Sequence, residues 1–137
     1  MCSLFNVTNH TITRDQFDDA AVSLGVMEEV LPPEEIRTLW GNVPPEIDSV
    51  KDYVFPVLYW LSSHLEPTDI VWVQGEWGST LAVVEWCRAR GVKCVYATTT
   101  RIAQEIHTDK GVQMTHTFKH VRFRDYYEVK PRFPRTC

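Results

Sequence analysis

Residues 69–97 read DIVWVQGEWGSTLAVVEWCRARGVKCVYA, and this stretch decides the fold. Asp69 to Val73 is an apolar run of strand length that reads as buried on both faces. Gly78-Ser79-Thr80 leads into Leu81, Val84, Glu85 and Cys87, a helical spacing closed by Gly91. Val92 to Ala97 is a second strand. Strand, helix and strand in so short a span make a βαβ unit, which demands a right-handed crossover and a parallel pair.

Working outward, Ser3 to Val7 reads as a buried first strand. Thr13 or Asp15 caps a helix reaching about Leu24, with Phe17, Ala20, Ala21 and Leu24 on one face and Gly25 at its end. Val26 to Leu31 is a weaker strand stopped by Pro32-Pro33, and Pro33-Glu34-Glu35-Ile36 opens another helix. A helical stripe of Val50, Val54, Val57, Leu58 and Leu61 follows, with Pro56 inside it demanding a kink or a late start. Downstream, Ile102 to about Ile106 reads as a short helix, Asp109-Lys110-Gly111 as a turn, and Thr115 to Tyr127 as a last strand. The expectation is an α/β fold: one Rossmann-like domain over residues 1–127, a mostly parallel central sheet with helices on both faces, and an irregular tail at 128–137.

Composition bounds the function. A chain of 137 residues buries roughly two-thirds of its unfolded surface without staples. A formal net charge of −4 provides no field for long nucleic acid, although a short nucleotide in one local pocket stays open. The cysteines, Cys2, Cys87, Cys94 and Cys137, form no Cys-x-x-Cys pair and no zinc spacing. Cys2 and Cys137 sit at frayable ends, and the four read as reduced thiols of a cytoplasmic protein. No signal peptide and no membrane span is apparent.

If the apolar runs are parallel strands, three polar clusters collect along the carboxyl edge of the sheet, where open α/β sheets bind ligands. They are Thr8-Asn9-His10, Gln74-Gly75-Glu76 and Thr98-Thr99-Thr100-Arg101. One imidazole, one carboxylate, one guanidinium and several hydroxyls and amides suit a polar, phosphate-bearing ligand. The turn from Gln74 to Thr80, with Gly75 and Gly78, offers free N–H groups at a helix start, or is a tight turn capped by Ser79 or Thr80. Glu76 would repel phosphate and so faces sugar, base or an arginine. Thr98, Thr99, Thr100 and Arg101 suit phosphate oxygens where a strand ends and a helix begins; the plainer reading is β-propensity, a cap and a solvated arginine. Asn9 and His10 can orient and deprotonate a hydroxyl, although a loop histidine is often simply solvated. His116 and His120, four apart on a strand, stand about 13 Å from each other by strand rise and cannot share one metal. Lys119, Arg122 and Arg124 form either a phosphate-facing row or, the favoured reading, a guard on an edge strand.

On four ordered pieces the chain resembles a family of small CRISPR-associated proteins of the Csx series found with type III systems. The pieces are Leu4-Phe5-Asn6-Val7-Thr8-Asn9-His10, Gln74-Gly75-Glu76, Ala97-Thr98-Thr99-Thr100-Arg101 and Phe118-Lys119-His120-Val121-Arg122-Phe123-Arg124-Asp125-Tyr126, within residues 3–127. Two positions depart from the pattern. Trp77 stands where the family more often has methionine, and His120 interrupts an aromatic-aliphatic strand. The resemblance implies a CARF-like fold and a stand-alone, metal-independent ring nuclease with no cofactor. Its ligand is a cyclic oligoadenylate, with cyclic tetra-adenylate the expected ring, and a twofold homodimer matches the symmetry of that ring. The implied catalytic set is His10, Asn9 and Arg101. Ligand contacts fall to Thr8, Gln74, Gly75, Glu76, Gly78, Ser79, Thr98, Thr99, Thr100 and Arg124. A non-catalytic binder of the same ring, and an enzyme acting on an unrelated nucleotide or sugar phosphate, remain open alternatives.

Overall fold

The computed structural model describes residues 2–128. Five strands and four helices follow one another as β1 (Ser3–Val7), α1 (Arg14–Leu24), β2 (Glu28–Val30), α2 (Glu34–Trp40), α3 (Phe55–His64), β3 (Ile70–Val73), α4 (Trp77–Ala89), β4 (Lys93–Thr108) and β5 (Gly111–Asp125). The sheet order is β2-β1-β3-β4-β5. The first four strands are mutually parallel, and β5 returns antiparallel along β4.

Strand alternation divides the core into two layers. Phe5, Val7, Val71 and Val73 meet Trp40, Val57, Leu61, Val83 and Cys87 from α2, α3 and α4. Leu4, Ile70, Trp72 and Val95 face the other way, onto Ala20, Phe17 and Leu24 of α1. Helices therefore cover both faces of an α/β sheet, and β1 and β3 are buried at every position.

Local chemistry sets the element ends. Thr13 caps α1 in a reciprocal box with Gln16, and Gly25 closes the helix at φ 73°, a left-handed conformation that glycine adopts without a Cβ clash. Of the two outcomes open for the Pro56 segment, the helix starts late: α3 begins at Phe55 with Pro56 in its first turn, where a missing N–H costs nothing. Val50 and Val54 precede it as turn residues and still pack on the core. The chain past β5 is held by two phenols, Tyr126 donating to the Val73 carbonyl at 2.6 Å and Tyr127 to that of Val92.

Three expectations are corrected. Residues 102–106 are not helical; β4 runs straight through them to Thr108 and pairs with β5 along its whole outer half. Thr98 to Arg101 thus lie inside a strand rather than at a strand-to-helix junction. Cys2 is buried rather than frayed, its thiol donating to the Thr68 carbonyl at 3.2 Å. Cys87 and Cys94 are free thiols, and the hydrogen bond with Cys87, followed by burial, pushes the Cys94 thiol well above its ordinary range. The third concerns the start of α4 and bears on the site. The proposed tail, from residue 129 on, and Cys137 lie outside the described residues.

Candidate functional site

The connection from β1 leads to α1 on one face of the sheet, and that from β3 leads to α4 on the other. Between the carboxyl ends of β1 and β3 the chain thus parts in two directions, which opens a crevice of the kind that holds ligands in α/β sheets. A cavity of about 530 Å³ lies at this edge, its wall including His10, Gln16, Gln74, Thr99, Phe118 and His120. That volume falls within the range of about 300–1,000 Å³ usual for small-molecule sites.

A buried amide shapes the first wall. Asn6 donates to the His10 carbonyl at 3.0 Å and to Glu29 at 2.9 Å, and its oxygen accepts from the Thr8 hydroxyl at 2.6 Å. Thr8 in turn accepts from the His10 N–H at 2.9 Å. Thr8 is therefore a buried structural hydroxyl that holds the turn, and the imidazole of His10 is presented beyond it. Asn9 turns away from the cavity, packing against Gly41 and lining a separate depression beside Pro32 and Arg37.

Gln74 forms the floor. Its side-chain oxygen accepts from the Trp72 indole and from the Ala97 N–H, both at 2.8 Å, which orients the carboxamide and leaves its NH2 to meet a ligand. The Gln74 carbonyl takes the Trp40 indole N–H at 3.0 Å. Gly75 exists for that indole: a Cβ there would lie 2.6 Å from Trp40 Nε1.

The start of α4 is already occupied. Glu76, not Ser79 or Thr80, is the cap; its carboxylate accepts from the N–H groups of Gly78 and Ser79 and from the Ser79 hydroxyl, each at 2.9 Å. These backbone bonds hold the carboxyl below its ordinary value. The N–H groups expected to receive a ligand phosphate are spent on the chain's own anion. Gly75 and Gly78 instead line a shallow depression of about 730 Å³ with Leu81 and Tyr126, flanked by the fully solvated Trp77.

The third wall comes from β4 and β5. Thr98 is consumed in a bulge, its hydroxyl donating to the Arg122 carbonyl at 2.8 Å, while Val121 is the extra residue on β5. Thr99 then stands across from His120 on the α1 side of the sheet. Thr100 and Arg101 are exposed further out; Arg101 stands opposite Phe118 of the wall without lining the cavity itself. Arg124 pairs with Tyr96 on the opposite face, bonding its hydroxyl at 3.3 Å. The bulge brings Lys119, Arg122 and Arg124 into one row by register, and that row lies on the edge strand.

His120, which looked like an interruption of a strand, is part of the wall. Its side chain is only 5% exposed, and Nε2 sits 2.7 Å from the Asp19 carboxylate of α1. A carboxylate only accepts, so Nε2 carries the proton and the lone pair of a neutral ring is at Nδ1. Nδ1 is buried and has no hydrogen-bond partner among the described residues. Burial pushes the Asp19 carboxyl up, but bonds from Ser23 and His120, with the His120 charge, hold it below its ordinary value. The partners are 101 positions apart, so no local motif could have announced them. Asp15 and Thr13 in the first turn of α1 complete the rim; the helix start favours an anion there, and Asp15 opposes it. Among the described residues, no three His, Cys, Asp or Glu side chains come together as a metal cluster.

Comparison with known proteins finds one family. The model of the Uncharacterized protein MJ1673 family matches residues 2–124, which takes in every wall of the cavity. Uncharacterized protein MJ1673 of Methanocaldococcus jannaschii is 36% identical over 126 residues, covering 92% of this chain and 98% of its own length. No solved structure matches.

Proposed function

We propose that this chain, which belongs to the uncharacterized MJ1673 family, is a single Rossmann-like, CARF-like domain that binds a cyclic oligoadenylate and opens it without a metal. The observation that carries this reading is the cavity at the parting of the β1 and β3 connections, where two imidazoles, a fixed carboxamide and a hydroxyl converge. The resemblance to the Csx-series proteins supplies the ligand class.

The chemistry needs a positioned hydroxyl and proton transfer. A ribose 2′-oxygen attacks the adjoining phosphorus, the bond from phosphorus to the 5′-oxygen breaks, and a 2′,3′-cyclic phosphate remains. The 2′-hydroxyl gives its proton to an imidazole, and the departing 5′-oxygen takes one up. His10, solvent-facing on the rim, is suited to that transfer. Gln74 and Thr99 offer donors to phosphate or sugar oxygens. His120 braces the wall against Asp19, its Nδ1 buried and without a hydrogen-bond partner among the described residues. Trp77 presents a flat face on which an adenine can stack, worth about 1–3 kcal/mol. A ring of four adenylates exceeds one cavity of about 530 Å³, so the ring would span two copies of the edge. In a cell with a type III CRISPR system, this activity removes the second messenger and ends the signal.

Incubation with cyclic tetra- and hexa-adenylate in EDTA, followed by mass spectrometry, tests the reading. Linear products ending in 2′,3′-cyclic phosphate over many turnovers are expected. Intact rings that co-elute with the protein would make it a sponge, a reading favoured by the placement of Asn9 and Arg101 outside the cavity. Rings that neither bind nor open sink both.

A further inference from the structure

Cross-strand partners share a face, so register sorts β4 and β5 into a side that borders the cavity and a side toward α4. On the α4 side stand Tyr96 with Arg124, Thr98 with Arg122 and, past the bulge, Thr100 with Lys119. Beyond the bulge the sheet thins to a two-stranded arm, in which β4 and β5 pair only with each other as far as the turn at Asp109 and Lys110. The same face continues there with Ile102 opposite Thr117 and Gln104 opposite Thr115. None of these residues is acidic. Lys119, Arg122 and Arg124 are exposed, and among the described residues no carboxylate pairs with any of them. The net charge of −4 therefore conceals a local cationic strip.

An aromatic path leads into this strip. The depression lined by Gly75, Gly78, Leu81 and Tyr126 is flanked by Trp77, 91% exposed in a chain whose other tryptophans are buried or half-buried. Tyr126 has its hydroxyl tied to the Val73 carbonyl, and its ring centroid lies 4.8 Å from that of Tyr96. The Arg124 guanidinium lies 5.8 Å over the Tyr96 ring and bonds its hydroxyl at 3.3 Å. Trp77, Tyr126, Tyr96, Arg124 and Arg122 thus trace one line from an apolar hollow of about 730 Å³ to a row of cations. A guard on an edge strand needs the charges alone and explains neither the hollow nor the solvated indole.

We infer that this line is a seat for a linear single strand of nucleic acid, with one base in the hollow against Trp77 and backbone phosphates along Arg124, Arg122 and Lys119. Stacking on aromatic faces beside a cationic track is how single strands are held without readout of their sequence. Strand rise puts successive cations of the row about 7 Å apart, close to the stride of phosphates along an extended single strand. Glu76, at the start of α4 beside the hollow, turns phosphate away and leaves that end to a base. A duplex keeps its bases stacked on one another and has none to give to Trp77. The inference does not need the ring-opening chemistry; a strand and a ring would compete for the one exposed indole.

Fluorescence anisotropy with a labelled single-stranded RNA of about ten nucleotides, a length such a track covers, tests this on the intact chain across a salt series. The wild type is expected to bind, with log K falling against log salt at a slope of about −2, since each phosphate of a single strand contributes about −0.7. Arg122→Gln and Arg124→Gln should each remove about a third of that slope. Trp77→Ala should weaken binding about tenfold or more at unchanged slope. The duplex of the same sequence should bind more weakly than the strand. No binding at low salt, a slope indifferent to both arginines, or a duplex bound as tightly as the strand overturns the inference. An affinity indifferent to Trp77 does so as well, and leaves only a patch for any polyanion. All three positions are exposed, and circular dichroism checks that each variant is folded. Strand binding without ring opening leaves this face standing and sinks the nuclease; ring opening without strand binding does the reverse.

Discussion

At the residue scale, the two imidazoles of the cavity have different expected roles. His10 is exposed on the rim, so His10→Ala should lower kcat by about 10²–10⁴-fold while ring affinity, read by fluorescence titration, stays near wild type. His120 is buried against Asp19 at 2.7 Å and braces the wall from α1. His120→Ala should therefore loosen the wall and weaken ring binding; unchanged affinity in a folded variant removes this wall from the site. Glu76 spends its carboxylate on capping α4, so Glu76→Ala should cost about 1 kcal/mol in a urea melt and leave ring affinity unaltered. His10, Gln74 and Thr99 were legible as polar residues following apolar runs. The cap at Glu76 was not legible because a carboxylate reaching its own helix start looks, in a string of letters, like a carboxylate awaiting a partner.

At the element scale, legibility tracked burial. β1, β3 and the inner half of β4 announced themselves because both of their faces are covered, which forces runs rich in apolar residues. The outer half of β4 has no covered face, so nothing imposed a period on it. Ile102 and Ile106, four apart, fit one helical face as readily as one strand face. The threonines at 98–100, 115 and 117 were the better guide, since β-branched residues favour extended chain. An arm without a core should be dispensable for folding. Replacing residues 101–117 with a two-residue turn should leave the thermal midpoint within a few degrees of wild type; a collapse of the midpoint would show that the arm supports the core.

At the scale of the whole molecule, β1 and β3 are shared by both core layers, so neither layer can open alone. Unfolding should be a single transition followed identically by tryptophan fluorescence and circular dichroism. Trp72 is fully buried on the α1 side and also bonds Gln74, so Trp72→Ala should cost about 3–5 kcal/mol and disorganise the cavity floor. Acid acts through Asp19, whose carboxyl titrates below its ordinary value of 3.8 in the folded chain. Its stabilisation is complete above that value and is lost as pH falls through the folded value. Asp19→Asn should flatten the acid limb of a stability-against-pH curve, and an unaltered limb would assign acid unfolding to other carboxylates.

The carboxylate seated at the start of α4 has one more consequence, which concerns the crowd of anions in which any such protein must work. Orthophosphate, sulfate and ordinary mononucleotides are drawn to vacant helix starts. Here the berth at the start of α4, beside the depression lined by Gly75 and Gly78, is filled by a tethered group that dilution cannot remove. At that helix, discrimination against these abundant competitors is built in by pre-emption, without a clash designed against each one. Phosphate from the buffer should find no seat there while Glu76 stays ionised.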